Sequence, residues 1–487
     1  MIFNFIFQNA LRHIAGNMKI YHIAAPLELS FTILLIFLMD LTNRDSFGSK
    51  FGVIAAAAGS AIGLGNIWRF PYVLGANGGG AFLLIYLIFV VVIGIPVMMS
   101  EFVIGRSAQR NPYGAFRILA PGRPWYLVGV MGVVAAFMIL AFYAAVAGWT
   151  MEYLYQSVVN GFSGKSAEEM STMFDTFRSG SARPVLWFLV FMVMTAWIVM
   201  AGVQKGIEKY AKVLMPVLLL LLIALSIRSL TLPGAGEGLV FLFKPDFSKI
   251  TGKVVLEALG QAFFSLSIGM GTLITYGSYI QKKERLGNTA VSVSLADTFI
   301  AVLAGVAIFP AVFAFNIDPA SEEALVFKTL PVIFQQMPGG YFFSLIFFLL
   351  LAVAALTSTI SVLEVVVANF TEEFRLGRRK ATLLAALAIS VLGIFASGSW
   401  SWFRELKIFG LSVFELLNHT SANYMLPMGG FLIVVFVGWF MGKPKVSGEL
   451  SSNGMFPVRY YPLYLFIVRF IAPIAIALVF LNSLGLF

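Results

Sequence analysis

Two short runs in this sequence place small residues and side-chain oxygens inside otherwise apolar chain. One is Gly59-Ser60-Ala61-Ile62-Gly63-Leu64-Gly65-Asn66, and the other is Ser265-Leu266-Ser267-Ile268-Gly269-Met270-Gly271. Such glycine spacing has two readings. Either helices touch backbone to backbone, or a helix breaks and frees its carbonyls and amides. Freed backbone at membrane depth is stable only around a cavity, where carbonyls coordinate cations and half-helix N-termini face anions. More oxygen donors stand in other apolar stretches: Glu101, Asp297, the adjacent Thr357 and Ser358, and Glu364 shortly after them. Carboxylates, hydroxyls and carbonyls together are what a hard cation such as Na⁺ takes. Blander roles are open to some of them. Thr357 and Ser358 could bond back to their own helix, and Glu364 could reach an interface. Arg69 closes the first run.

Other chemistries are excluded. The chain has no Cys, so thiol catalysis, cysteine-ligated zinc and disulfides are out. His13, His22 and His419 are scattered, and no convergent set of acids and histidines suggests an enzyme.

The elements that must position the oxygen donors follow from composition. Of 487 residues, 59% are hydrophobic and 11% charged, against ~45–50% and ~25% in soluble domains. One soluble core cannot hide that excess. The chain reads as an all-α membrane protein whose partner is the lipid bilayer. Windows long enough to cross fall at 52–75, 81–105, 125–158, 184–201, 210–228, 254–280, 289–315, 341–370, 381–396, 408–441 and 461–487, about eleven transmembrane helices. Residues 317–338 are mixed and read as a re-entrant or surface hairpin. The net charge of +10 fits cationic inner loops, not nucleic acid. Alternate loops carry Arg106, Arg110, Arg117 and Arg123, then Lys205, Lys209 and Lys212, then Lys282, Lys283 and Arg285, then Arg375, Arg378, Arg379 and Lys380. That pattern puts the N-terminus in the cytoplasm and the C-terminus outside, across the inner (plasma) membrane.

Residues 1–43 form an N-terminal extension. Its apolar segment 29–39 is too short to span, and Met39 is the expected start, with a peripheral amphipathic segment as the alternative. Residues 44–487 form the membrane-spanning domain, with repeat one at about 50–228, repeat two at about 253–441 and an extra helix at 460–487. In a 5+5 inverted repeat, the interrupted helices one and six occupy corresponding places. That pairing is the best sequence pointer to a transporter's midplane site.

The motifs then resemble a known family. Gly59 to Asn66 continuing through Ile67-Trp68-Arg69-Phe70-Pro71, then Asn77-Gly78-Gly79-Gly80-Ala81-Phe82, is similar to the signature of the neurotransmitter:sodium symporters. The likeness runs from about Arg44 to the end, through Lys205-Gly206-Ile207-Glu208, Lys244-Pro245-Asp246-Phe247 and Leu356-Thr357-Ser358. It is strongest to the eleven-helix bacterial branch that carries amino acids. The resemblance implies the leucine-transporter fold and sodium-dependent symport of a neutral, hydrophobic amino acid by alternating access.

By that resemblance, one sodium site takes the Ala61 carbonyl, Asn66, Ser265 and Asp297, completed by the substrate carboxylate. The second takes the carbonyls of Gly59, Ile62 and Ala354 with the hydroxyls of Thr357 and Ser358. Tyr143 and the amides near Leu64 and Gly65 bind the substrate carboxylate. Ile139, Val146, Phe264, Ser267, Met270, Ser361 and Val362 form the side-chain pocket, in which no acid awaits a cationic amine. The inner gate pairs Arg44 with Glu372 over Phe47 and Tyr279. At the outer gate Arg69 is present, but the usual acid corresponds to Asn418, with Glu415 one turn earlier as the alternative. Glu101 is a supporting residue. Chloride is not expected, because Asp297 brings a fixed negative charge beside Tyr86, Gln261 and Ser265, and Ala301 stands where animal relatives carry a chloride-binding serine. The runner-up is the same mechanism with another substrate, such as tyrosine, tryptophan or another small amine or amino acid. A non-transporting amino-acid sensor, a channel and a membrane enzyme are the competing classes, and retention of both gate faces argues for transport. Monomer and dimer are both compatible with the sequence.

Overall fold

The computed structural model describes residues 45–316 and 325–486. The expected N-terminal extension, its expected start at Met39 and the expected gate residue Arg44 lie outside them.

The first membrane element is a bent pair, α1 (Lys50–Ala61) and α2 (Gly65–Ala76), turning by 51° about residues 62–64. There follow α3 (Gly80–Ala108), α4 (Pro112–Leu119), α5 (Tyr126–Val158), α6 (Ala167–Ser179), α7 (Arg183–Met200), α8 (Val203–Leu230) and α9 (Ala235–Phe243). Next come α10 (Gly252–Ser265), α11 (Thr272–Tyr279), α12 (Leu286–Ala314), α13 (Leu325–Gln336), α14 (Gly340–Glu373) and α15 (Arg378–Trp400). A two-residue hairpin, with Lys407 opposite Ser412, precedes α16 (Val413–Phe440), α17 (Lys443–Leu450) and α18 (Tyr461–Ser483). Among the described residues, nine helices are long and apolar enough to cross a membrane, and the α1–α2 pair makes a tenth. Helices α10 and α11, of 14 and 8 residues, are each too short to cross alone and flank residues 266–271.

Local signals explain several boundaries. Ser49 and Thr251 cap α1 and α10 by accepting from Gly52 N and Val254 N. Ser166 with Glu169, and Ser412 with Glu415, form reciprocal capping boxes. The glycines after α2 are required by shape: Gly78 and Gly79 have φ of 87° and 63°, and a Cβ at Gly79 would lie 2.4 Å from the Phe241 carbonyl of α9.

The region 317–338 departs from expectation. Its described part is the packed helix α13, not a re-entrant or surface hairpin. Val326, Phe327, Leu330 and Ile333 recur at helical spacing and are buried. Phe327 stacks on Phe174 of α6 at 5.3 Å, nearly parallel. Lys328, the charged residue within the described helix, leaves that apolar face intact.

Helices α3 and α11 meet at backbone distance. A Cβ at Gly105 would lie 2.0 Å from the Ile274 carbonyl, and one at Gly277 2.9 Å from Phe102 Cα. Gly105→Ala should therefore lower the melting temperature in detergent, since overpacking costs ~1–3 kcal/mol. Gly252→Ala, with nothing within 4 Å of the new carbon, should leave it unchanged. Equal melting of the two variants would contradict the close α3–α11 contact.

Candidate ion and substrate site

Both helix breaks are built by backbone geometry. Helix α1 ends when Ile62 turns to ψ 106°. Between α10 and α11, Ser267, Gly269 and Gly271 all take left-handed φ values of 54°, 87° and 80°. Two contacts hold the second break. Glu101, fully buried on α3, accepts from Gly269 N at 2.7 Å. Ser267 Oγ donates to the Ser60 carbonyl at 2.9 Å, tying one break to the other. The glycine runs are thus breaks that also pack closely.

The first oxygen cluster joins four elements, α2, α3, α10 and α12. Asn66 Nδ2 donates to Asp297 Oδ1 at 2.7 Å and lies 3.2 Å from Ser265 Oγ. Ser265 Oγ donates to Asp297 Oδ2 at 2.8 Å, and Tyr86 Oη stands 3.4 Å from the same oxygen. Asn66 Oδ1 in turn accepts from Gly63 N at 3.1 Å. Asp297 lies mid-helix in α12, fully buried, so it caps no helix end. Its three side-chain partners are all neutral, and among the described residues no basic group reaches it. A buried carboxylate without a countercharge is expensive. Hence the donor set fits a small hard cation. No group of three His, Cys, Asp or Glu that could hold another metal occurs among the described residues. Gln261 sits beside this cluster with Nε2 3.3 Å from the Gly65 carbonyl.

The second cluster lies between α1 and α14. Thr357 Oγ1 and Ser358 Oγ each approach the Ile62 carbonyl at 3.4 Å, and Thr357 Oγ1 donates to the Ala354 carbonyl at 2.9 Å. A hydroxyl-to-carbonyl distance of 3.4 Å exceeds the usual ~2.7–2.8 Å, so these oxygens converge without satisfying one another. Gly59 belongs to the same place: its Cβ would sit 3.3 Å from Thr357 Cβ. The back-bonding reading of Thr357 is also correct, through Ala354.

A cavity of about 630 Å³ opens beside the first break. It is lined by Leu64, Gly65, Arg69, Tyr143, Val146, Phe264 and Asn418 among the expected residues. Leu64 N donates to Tyr143 Oη at 2.9 Å. Ile139, Ser267, Met270, Ser361 and Val362 are buried outside that lining. Ser361 Oγ accepts from Tyr276 Oη at 2.8 Å. The Ala61 carbonyl belongs to the buried end of α1, next to the break.

Arg69 lies 4.3 Å over the Phe264 ring. Glu415 does not take the missing acid's place, because its carboxylate accepts from Ser412 N and Oγ at 2.8 and 2.7 Å and does not line the cavity. The acid that does line it is Glu257, one turn after Lys253.

The opposite side is closed. Phe47 is buried edge-on against Tyr276 and Tyr279 at 5.6 and 6.0 Å. A crevice bounded by Gly59, Tyr276 and Ser361 holds about 10 Å³, no more than one water. Glu372 accepts from Asn111 N and Nδ2, both at 3.0 Å. Glu364 is fully buried, not at an interface, and accepts from Tyr279 Oη and Arg378 Nη2, both at 2.6 Å. Sequence reasoning missed Arg378 as that partner, since it read only as one member of a cationic run. Trp68, Tyr72, Lys253 and Glu257 in the cavity wall were missed as well.

Comparison with known proteins accords with this geometry. The pattern described as the sodium:neurotransmitter symporter family matches residues 44–173 and 162–487. An uncharacterized sodium-dependent transporter, YhdH, of Bacillus subtilis (strain 168) is 39% identical over 90% of this chain and 98% of its own length. An uncharacterized sodium-dependent transporter of Haemophilus influenzae is 38% identical over 91% and 98%. The sodium-dependent serotonin transporter of Drosophila melanogaster is 28% identical over 86% and 73%. The crystal structure of MhsT in complex with L-phenylalanine superposes with a TM-score of 0.83 at 47% identity, covering 91% of this chain and all of that one. By sequence and by fold, this chain belongs to the sodium:neurotransmitter symporter family and is a multi-pass, sodium-dependent membrane transporter, not an enzyme.

Proposed function

We propose that the protein takes up a neutral, hydrophobic amino acid with two Na⁺ by alternating access, without chloride. The observation that carries the reading is the uncompensated Asp297 carboxylate, shared by α2 through Asn66 and by α10 through Ser265. A cation there joins both interrupted helices, and substrate held at Leu64, Gly65 and Tyr143 would lie next to it. The second Na⁺ would take Gly59, Ile62, Ala354, Thr357 and Ser358. The pocket residues are apolar or small and neutral, and the related MhsT is seen with L-phenylalanine, which supports an aliphatic or aromatic substrate. Asp297 supplies the negative charge for which a mobile anion would otherwise be needed. The cationic loops support an inner-membrane protein with its N-terminus in the cytoplasm. On that orientation the cavity is the outward vestibule and Phe47 the closed inner gate.

Three outcomes test the reading. In proteoliposomes, labelled leucine, tyrosine or phenylalanine should accumulate under an inward Na⁺ gradient and not with K⁺; equal uptake in both would refute coupling. Thr357→Ala with Ser358→Ala should weaken Na⁺ affinity by ~1–3 kcal/mol, as for unmatched buried polar groups, measured by Na⁺ titration of substrate binding. Replacing chloride with gluconate should leave uptake unchanged, while Asp297→Asn should lose most of it. Strong chloride dependence in the wild type, or full activity in Asp297→Asn, would remove that residue from the ion site.

A further inference from the structure

On the Phe47 side, a second ionic cluster, built around the buried Arg106, takes no part in the ion or substrate site. Arg106, at the end of α3, is fully buried. Its Nε donates to Glu449 Oε2 at 2.8 Å, its Nη1 to the Glu284 carbonyl at 2.5 Å, and its Nη2 to the Glu449 carbonyl. Lys282, just beyond α11, closes the ring by donating to the Arg106 carbonyl at 2.7 Å and to Glu449 Oε1 at 2.5 Å. Ser452 Oγ adds a bond to the Glu284 carbonyl at 3.0 Å. Farther along the same segment, Phe456 lies 3.9 Å under the Arg285 guanidinium. All three guanidinium nitrogens are engaged, so the planar fork fixes orientation as well as charge.

The cluster joins two things that alternating access must coordinate. Helix α11 is the inner half of an interrupted element, and its last residue, Tyr279, accepts from Phe47 N at 3.2 Å. Helix α17 follows α16 directly, and the far half of α16 lines the cavity at Asn418, Ala422 and Leu426. Losing Glu449 would strand the buried Arg106 charge, which is costly. The cluster's outer member, Lys282, has a half-exposed side chain, at 48%, so water can reach and release it.

We propose that Arg106 is a positioning residue that clips α11 to α17 through Glu449 and Lys282, and that this clip holds the Phe47 side closed. Releasing it lets α11 leave Phe47 and shifts the population toward the state open on that side. The proposal rests on the transport reading, but its test does not. Because the chain has no native Cys, single reporters are clean: Ser278→Cys on α11 and Ala422→Cys in the cavity wall, each combined with Glu449→Gln or Lys282→Ala. In K⁺ medium, the clip variants should label about fivefold faster at Ser278→Cys, in the usual range of coupling between sites, and slower at Ala422→Cys. Opposite shifts mark a change of conformational balance, whereas a merely weakened fold speeds both. Unchanged labelling at both positions, or faster labelling at both, overturns the clip. If Glu449→Gln does not fold, the half-exposed Lys282→Ala decides the matter. Na⁺-dependent leucine binding by the parent protein is scored separately, and its absence would count against the transport reading without touching the labelling result.

Discussion

One buried carboxylate organises this molecule. Asp297 sits in the middle of a long helix, closed off from solvent, and among the described residues its carboxylate meets an amide, a hydroxyl and a phenol. Those groups can orient the charge but cannot neutralise it. A cation can, and the helices that present it with oxygens are the two interrupted elements. Continuous helices would have spent their carbonyls and amides on themselves, so the breaks leave free the groups that the proposed cation site uses.

Around that centre the structure divides labour between rigid and releasable contacts. Backbone-close packing joins α3 to α11 at Gly105 and Gly277, and Glu101 pins the second break to α3. The contacts proposed to act as gates lie toward the two faces. On one face Arg69 rests over Phe264. On the other, Phe47 lies against Tyr276 and Tyr279, with Glu364 and Arg378 behind them and the Arg106 cluster to the side. The two faces thus differ, with an open cavity on one and packed rings on the other; the proposed alternating-access cycle needs such an asymmetry.

Much of this was legible in the sequence, and the rest was not for a definite reason. Glycines beside hydroxyls in apolar chain marked both breaks, and an acid at position 297 marked the centre, because such residues are costly in a membrane unless they have a task. The sequence does not say who satisfies them. Arg106 and Glu449 are 343 positions apart, and neither looked different from ordinary loop charge. Arg378 hid within a cationic run, although it neutralises Glu364. Glu415 had the right place for a gate acid, yet the serine three residues before it recruits it as a cap. Around α13, the charged residues in the sequence hid an apolar helical face, which its neighbours Phe174 and Trp149 reveal.

The central claim is that the Asp297 cluster is completed by Na⁺, and thermal stability reads this directly. A cation that binds only the folded state stabilises it by about 2.7 kcal/mol at a hundredfold excess over its Kd. Melting of the purified protein, titrated with NaCl against KCl at constant ionic strength, should show a Na⁺-specific rise for the wild type. In Asp297→Asn, which keeps the shape and removes the charge, that rise should be largely lost. An equal rise with both salts, or an undiminished Na⁺ effect in Asp297→Asn, would contradict the account.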